Sequence, residues 1–163
     1  VRNLPVIGIG DSVLLTAINE LYEYFPNGYF DGKISRSLKA SEELITDLKN
    51  SGKLGNTLIL ALANNGDYST KLNKEFMELV GDREIYWVNA AGADDPEFNN
   101  KFKEFAKDYP NIHIVDWVSV TEEHPEYLYA DGVHPKEGTP CKVYAETIYK
   151  AIYNQYLKNY KGN

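Results

Sequence analysis

Cysteine, methionine and long apolar runs are all scarce in this sequence of 163 residues, and each scarcity excludes something. Cys141 is the sole cysteine, so no disulfide framework forms within the chain. Such usage fits a cytosolic protein and equally a secreted protein of an organism that avoids cysteine. No apolar run approaches the roughly 20 residues that span a bilayer, and no basic-then-apolar signal stretch opens the chain. Positive charge is in deficit: 17 Lys and Arg against 24 Asp and Glu leave a net charge of -7. A phosphate backbone needs a basic surface, so nucleic acid is excluded as an expected partner. There is no "HExxH", no cysteine pair and no histidine pair at helical spacing, so neither a metal nor a cofactor is expected. Gly8 and Gly10 open "GIGDSV", but position 13 is Val and no "GK[ST]" follows, which removes the dinucleotide and phosphate-loop readings. Met77 is the only methionine and the first residue is Val1, so the expectation is a domain excised from a longer protein.

What is present suits one packed domain over residues 1–163: 43% apolar and 25% charged residues, with no repeat or low-complexity segment. Apolar periodicity and breakers divide the chain into an alternation. Strands are expected at 6–10, 28–34, 57–63, 84–90 and 111–117. Helices are expected at 12–25, 37–52 (ending at Gly52), 69–81, 95–109 (capped by Asp95, with Pro96 in its first position) and from about 141 to 160. The stretch between the fifth strand and the last helix reads as irregular. This alternation predicts an α/β domain with a mostly parallel five-stranded sheet and helices on both faces.

In such sheets ligands meet the carboxyl ends of the strands. Asp11 and Ser12 follow the first strand, Ser35 the second, Asn64 and Asn65 the third, Asn89 and "AAGADD" the fourth, and Asp131 and His134 the fifth. Serine becomes a nucleophile when a base takes its proton; histidine is the usual base, and a carboxylate fixes its tautomer. Three histidines narrow the choice. His113 lies within a strand and reads as an internal hydrogen-bonded residue. His124, in "EEHPE", reads as solvated. His134 precedes Pro135, which favours extended backbone, and Gly132 permits a turn that returns Asp131 to the ring. By itself "DGVHP" is also an ordinary Asp-Gly turn, and Ser12 is also a helix N-cap. Asp94 and Asp95 read as helix-start residues. Tyr149, Tyr153, Tyr156 and Tyr160 recur at helical spacing and read as packing for the last helix.

"GDS" at 10–12 and "DGVH" at 131–134, about 120 residues apart, together resemble the first and last blocks of the SGNH, or GDSL, hydrolase family. "ALANNG" at 61–66 resembles its Gly-x-Asn block. The resemblance covers nearly the whole chain. It implies the flavodoxin-like three-layer α/β/α sandwich of that family, with Ser12 as nucleophile and Asp131 and His134 completing a triad. It further implies an oxyanion hole made by the backbone N–H groups of Ser12 and Ser35 and the side-chain amide of Asn65. Two positions depart from the pattern. Ala63 stands where the family has glycine, and Asn64 competes with Asn65. The second-block glycine has no clear match, Ser35 after the strand and Gly32 within it being the two options.

Within the family, "GDSV", "DGKISR" and "ADGVHP" look most like the extracellular catalytic domains of Gram-positive peptidoglycan O-acetyltransferases. That likeness implies acetyl transfer through acetyl-Ser12 to the C6 hydroxyl of N-acetylmuramic acid in peptidoglycan, with an acetyl donor as second partner. It also implies fusion to a membrane acyltransferase domain and a place at the extracellular face of the Gram-positive cell membrane. Asn64, Asn89, Trp117 and the loop from 117 to 129 are then candidates for holding a sugar, although Trp117 reads first as a core residue. Two other readings remain: an SGNH esterase that removes acetyl groups with water as acceptor, and a catalytically silent glycan-binding domain.

Overall fold

Short runs rich in Ile, Leu and Val form five strands: β1 (Ile7–Gly10), β2 (Tyr29–Gly32), β3 (Thr57–Ala61), β4 (Glu84–Val88) and β5 (Ile112–Val115). In the computed structural model, which describes residues 1–161, they pair in parallel in the order β2-β1-β3-β4-β5. All five strands and their parallel pairing are as the sequence pattern predicts, each one to three residues shorter at its ends.

Parallel neighbours require crossovers, and helices supply them. After β1 come α1 (Ser12–Thr16) and α2 (Ile18–Tyr24); then α3 (Leu38–Asn50), α4 (Thr70–Val80) and α5 (Phe98–Ala106) follow β2, β3 and β4. The chain ends with α6 (Trp117–Glu123), a 3-10 turn (Pro125–Tyr127) and the long α7 (Thr139–Lys161). The first crossover runs to the opposite side from the next three, because the strand order reverses at β1. Side chains of the strands alternate accordingly. Ile59, Ala61, Tyr86 and Val88 pack with Trp117, Tyr144 and Ile148 on one face, while Leu58, Leu60, Ile85 and Trp87 pack with Phe76, Phe98 and Phe102 on the other. Each face has a tryptophan anchor: Trp117 meets Tyr144 edge-on at 5.0 Å, and Trp87 lies 4.2 Å from Phe102. Among the described residues no helix is long and apolar enough to cross a membrane.

Several boundaries differ from the sequence expectation, each for a local reason. The helix expected over 12–25 breaks at the fully buried Ala17. There the Thr16 hydroxyl donates to the Ser12 carbonyl at 2.8 Å, and the Ala17 N–H bonds Leu14 rather than Val13, a substitution of bonds that bends helices. Helix α5 begins at Phe98, not Asp95, because Asp95 accepts from Glu97 N–H in a preceding turn and from Tyr68 N–H across the loop. The stretch read as irregular contains α6, capped by Asp116, which accepts from Ser119 N–H. The tyrosine stripe packs only at its start: Tyr149 lies against Tyr24 and Phe25, whereas Tyr153, Tyr156 and Tyr160 are exposed.

Helix α1 is held directly against the end of β2. A Cβ on Gly32 would stand 2.8 Å from the backbone nitrogen of Leu15, and backbone cannot swing aside as a side chain can. Gly32→Ala is therefore expected to lower stability by about 1–3 kcal/mol, the usual range for overpacking, measured by urea unfolding. An unchanged midpoint would mean that α1 does not lean on β2 as described.

Candidate active site

In sheets whose order reverses, the crevice at the carboxyl ends of the two strands flanking the reversal is open to ligands. Here those strands are β1 and β3. The chain leaves β1 through Asp11 and enters α1 at once. Asp11, not Ser12, is the N-cap: its Oδ1 accepts from Val13 N–H at 2.9 Å. Ser12 is thus the first helical residue, where a backbone N–H has no partner inside the helix, and its hydroxyl is free of capping duty.

That hydroxyl meets His134 Nε2 at 2.8 Å, and His134 Nδ1 meets Asp131 Oδ2 at 2.7 Å. The carboxylate on Nδ1 requires the proton there, so Nε2 is left as acceptor for the Ser12 O–H. The loop that carries this pair is closed at its base by the Leu128–Pro135 bridge and tightened by bonds from Tyr129 N–H to the His134 carbonyl and from Gly132 N–H to the Tyr129 carbonyl. Asp131 Oδ1 also accepts from Val133 N–H and His134 N–H, at 2.9 and 3.1 Å. The His134 ring and these two N–H groups hold the Asp131 carboxyl down to about 2, although its side chain is 47% exposed. The loop presses on the turn after β4: a Cβ on Gly92 would lie 2.7 Å from the Gly132 carbonyl oxygen.

Ser35 has φ of 62°, the only non-glycine residue with positive φ among those described. It occupies the tip of the turn after β2, whereas Gly32 lies inside β2 in register with Gly10. Left-handed backbone is the conformation that glycine adopts readily, which explains why a glycine pattern finds no match by residue type at this position. Among the described residues the Ser35 N–H has no hydrogen-bond partner. The turn is pinned by Arg36, which the sequence reading did not single out. Its guanidinium, 9% exposed, donates to Asp31 Oδ1 at 2.9 Å, to the Asp31 carbonyl at 2.8 Å and to the Gly10 carbonyl at 3.2 Å, tying the ends of β1 and β2 together.

The two asparagines after β3 part ways. Asn64 turns to the β4 side and donates to the Ala91 carbonyl at 2.9 Å. Asn65 turns to Ser12's side, where its amide donates to Asp11 Oδ2 at 3.1 Å and to the Arg36 carbonyl at 3.2 Å. Its amide thus sits beside the nucleophile's turn, on the Ser12 side of the crevice. Asp94 and Asp95 brace this loop through Gly66 N–H and Tyr68 N–H rather than heading a helix.

Asp11 is fully buried. Burial pushes its carboxyl from 3.8 up to about 6, against the pull of the Val13 N–H and of the nearby His134. A carboxyl raised in this way binds its proton more tightly folded than unfolded. Stability therefore falls as pH rises from 3.8 to about 6, and the ionised group is held at the expense of the fold.

The remaining candidates are placed elsewhere. Asn89 is spent capping α6, bonding Asp116 and Val118 N–H, and Trp117 is buried in the core, so neither is available to a sugar. His113 pairs with Glu84 and stacks on Tyr86 across β4 and β5, and His124 pairs with Glu126 at 3.0 Å, so neither histidine is bonded to Ser12.

No family model matches the chain. It is 32% identical over 136 residues to the O-acetyltransferase OatA of Staphylococcus aureus, which covers 82% of this chain and 22% of the relative. The chain thus spans about a fifth of the length of the curated relatives it matches. The OatA C-terminal catalytic domain of Streptococcus pneumoniae, solved with a methylsulfonyl adduct, superposes with a TM-score of 0.80 at 24% identity, over 94% of this chain and 95% of that one. A GDSL-like lipase of Bacteroides thetaiotaomicron superposes with a TM-score of 0.69 at 16% identity, over 92% and 88%. The chain is homologous to the OatA catalytic domain. It shares the three-layer α/β fold of the GDSL-like lipases.

The strained turn yields a test. Left-handed backbone costs a non-glycine residue about 1–2 kcal/mol, and glycine returns about 0.5–1 kcal/mol of that through its freer unfolded chain. Ser35→Gly is expected to raise stability by up to about 1 kcal/mol in urea unfolding. A lower midpoint would show that the Ser35 side chain, and not its backbone, holds the turn.

Proposed function

We propose that this domain transfers an acetyl group through an acetyl-Ser12 intermediate to the C6 hydroxyl of N-acetylmuramic acid in peptidoglycan. The observation that carries the reading is the chain Ser12–His134–Asp131, with bonds of 2.8 and 2.7 Å, in a chain 32% identical to an O-acetyltransferase. His134 Nε2 takes the Ser12 proton as Oγ attacks the acetyl carbonyl. The oxyanion is held by the N–H groups of Ser12 and Ser35 and by the Asn65 amide, which gives up its longer bond to the Arg36 carbonyl. A donor of this kind is worth about 3–4 kcal/mol. The imidazolium, supported by Asp131, then protonates the departing oxygen of the donor. In the second half the neutral imidazole takes the proton of the sugar hydroxyl, that oxygen attacks acetyl-Ser12, and the proton returns to Ser12 Oγ. The share of 22% of the relative's length supports a domain that is part of a longer protein, here read as one fused to a membrane acyltransferase part, and the likeness to peptidoglycan-modifying OatA supports work at the cell surface.

Water is the competing acceptor. His134 and Asp131 are 33% and 47% exposed along their side chains, so water reaches the dyad, and this favours an esterase as second reading. A transferase must hold the sugar hydroxyl at high effective molarity. Given an activated acetyl ester and muroglycan fragments, the protein is expected to yield O-acetylated sugar by mass spectrometry, saturating with acceptor. Free acetate alone across several glycan acceptors, with removal of acetyl groups from O-acetylated glycan, would make the esterase reading the right one. Ser12→Ala and His134→Ala are each expected to lower turnover by about 10³-fold or more, and Asp131→Ala by less. Near-normal turnover in Ser12→Ala would remove serine catalysis.

A further inference from the structure

Asp11 has no step in the reaction just described, yet it is the most deeply buried carboxyl beside Ser12. Its two oxygens serve two different parts of the site. Oδ1 accepts the Val13 N–H and so fixes the first turn of α1, which carries the Ser12 N–H and Oγ. Oδ2 accepts the Asn65 amide across the crevice from β3. Its own backbone N–H bonds the Ala61 carbonyl, so the carboxylate stands on both strands of the switch point.

We propose that Asp11 is a positioning residue for acyl transfer at Ser12: its buried carboxylate anchors the nucleophile's helix and the Asn65 amide together, and protonation of that carboxylate releases the amide. This inference rests on the acyl-Ser12 reading. The chemistry follows from hydrogen-bond polarity. An ionised carboxylate only accepts, and it meets two N–H groups here. The Oδ1 partner is fixed backbone and the Oδ2 partner a movable side chain, so the proton goes to Oδ2, which then becomes a donor and loses its hold on the Asn65 amide.

The groups that face Asp11 set where this happens. His134 approaches from the loop before α7 and favours the carboxylate; Asp131 lies behind that ring. From α7 the buried Tyr144 hydroxyl, without a hydrogen-bond partner among the described residues, is within electrostatic reach. From the turn after β2, the Arg36 guanidinium is committed to Asp31 and Gly10 and leaves only its carbonyl toward Asn65. Burial outweighs the hydrogen bonds and the nearby ring and puts the transition at about 6. Asp11 is therefore ionised at neutral pH although the fold is better off without the charge, which is the pattern of a group retained for what it positions.

The experiment compares wild type, Asp11→Asn, Asn65→Ala, the double variant and Ser12→Ala on an activated acetyl ester across pH. Asp11→Asn is expected to lower kcat about ten- to a hundredfold with KM within about twofold, while raising the melting temperature at neutral pH. The acid limb of wild type is expected to be steeper than one proton below about 6, and that of Asp11→Asn to fall back to one. The double variant is expected to be no slower than the slower single variant, because both changes break one linkage. Wild-type kcat with an unchanged acid limb in Asp11→Asn, or full additivity of the two losses, would overturn the inference. If Asp11→Asn does not fold, the 15N signal of the Asn65 side-chain amide in wild type decides: it should titrate with a midpoint near 6, and a flat profile would overturn the inference equally. Turnover that survives Ser12→Ala defeats the acyl-Ser12 reading itself. Loss of turnover in Ser12→Ala beside an unimpaired Asp11→Asn defeats only the role of Asp11.

Discussion

The hydrogen bond between Ser12 and His134 joins residues 122 positions apart. Nothing local in either segment produces it. Ser12 is delivered by β1, the second strand in the sheet order, and His134 by the loop beyond β5 at the far edge. The bond therefore exists only when all five strands are in register and α6 and α7 have closed over one face. That dependence accounts for the investment in the rim: Arg36 staples β1 to β2, Asp94 and Asp95 brace the β3 loop, and Gly92 lets the β4 turn touch the loop of Asp131.

Two carboxyls flank the serine and imidazole, and the protein treats them in opposite ways. Asp131 stands in solvent, rich in N–H partners, and its carboxyl is pulled down to about 2. Asp11 is sealed beneath the serine and pushed up to about 6. Environments that drive paired groups apart assign them different work. Asp131 can stay charged through any proton movement on His134. Asp11 stands where a change in protonation alters geometry, since both of its oxygens hold backbone or amide donors.

Much of this was legible in the sequence. The five apolar runs lay at the right places because parallel strands buried on both faces leave near-continuous apolar stretches. "GDS" and "DGVH" stand out because a hydroxyl, an imidazole and a carboxylate are an unusual set to find at the carboxyl ends of strands. What escaped was carried by relations rather than residue types. Ser35 was marked by its place after β2, but its glycine-like backbone is hidden under a polar side chain. Arg36, one of three arginines, reads as an ordinary surface residue until its guanidinium is seen between two strand ends. Asp11 was overshadowed by its neighbour: periodicity marks where a helix starts but not which of two adjacent polar residues caps it. Asn89 follows β4 as expected and Trp117 is core, but that both serve α6 stayed hidden, because α6 follows β5 with almost no spacer and the strand pattern ran on into the helix.

The central claim is that Ser12, capped from below by Asp11 and deprotonated by His134, becomes the carrier of the acetyl group. Its most direct test is rapid acid quenching of the protein during turnover of an activated acetyl ester, followed by peptide mass mapping. The account predicts one added acetyl group, on the peptide that contains "GIGDSVLL", accumulating in a burst ahead of steady-state turnover. An acetyl group found instead on Ser35, Ser37 or a lysine, or no covalent species while product forms, would contradict it.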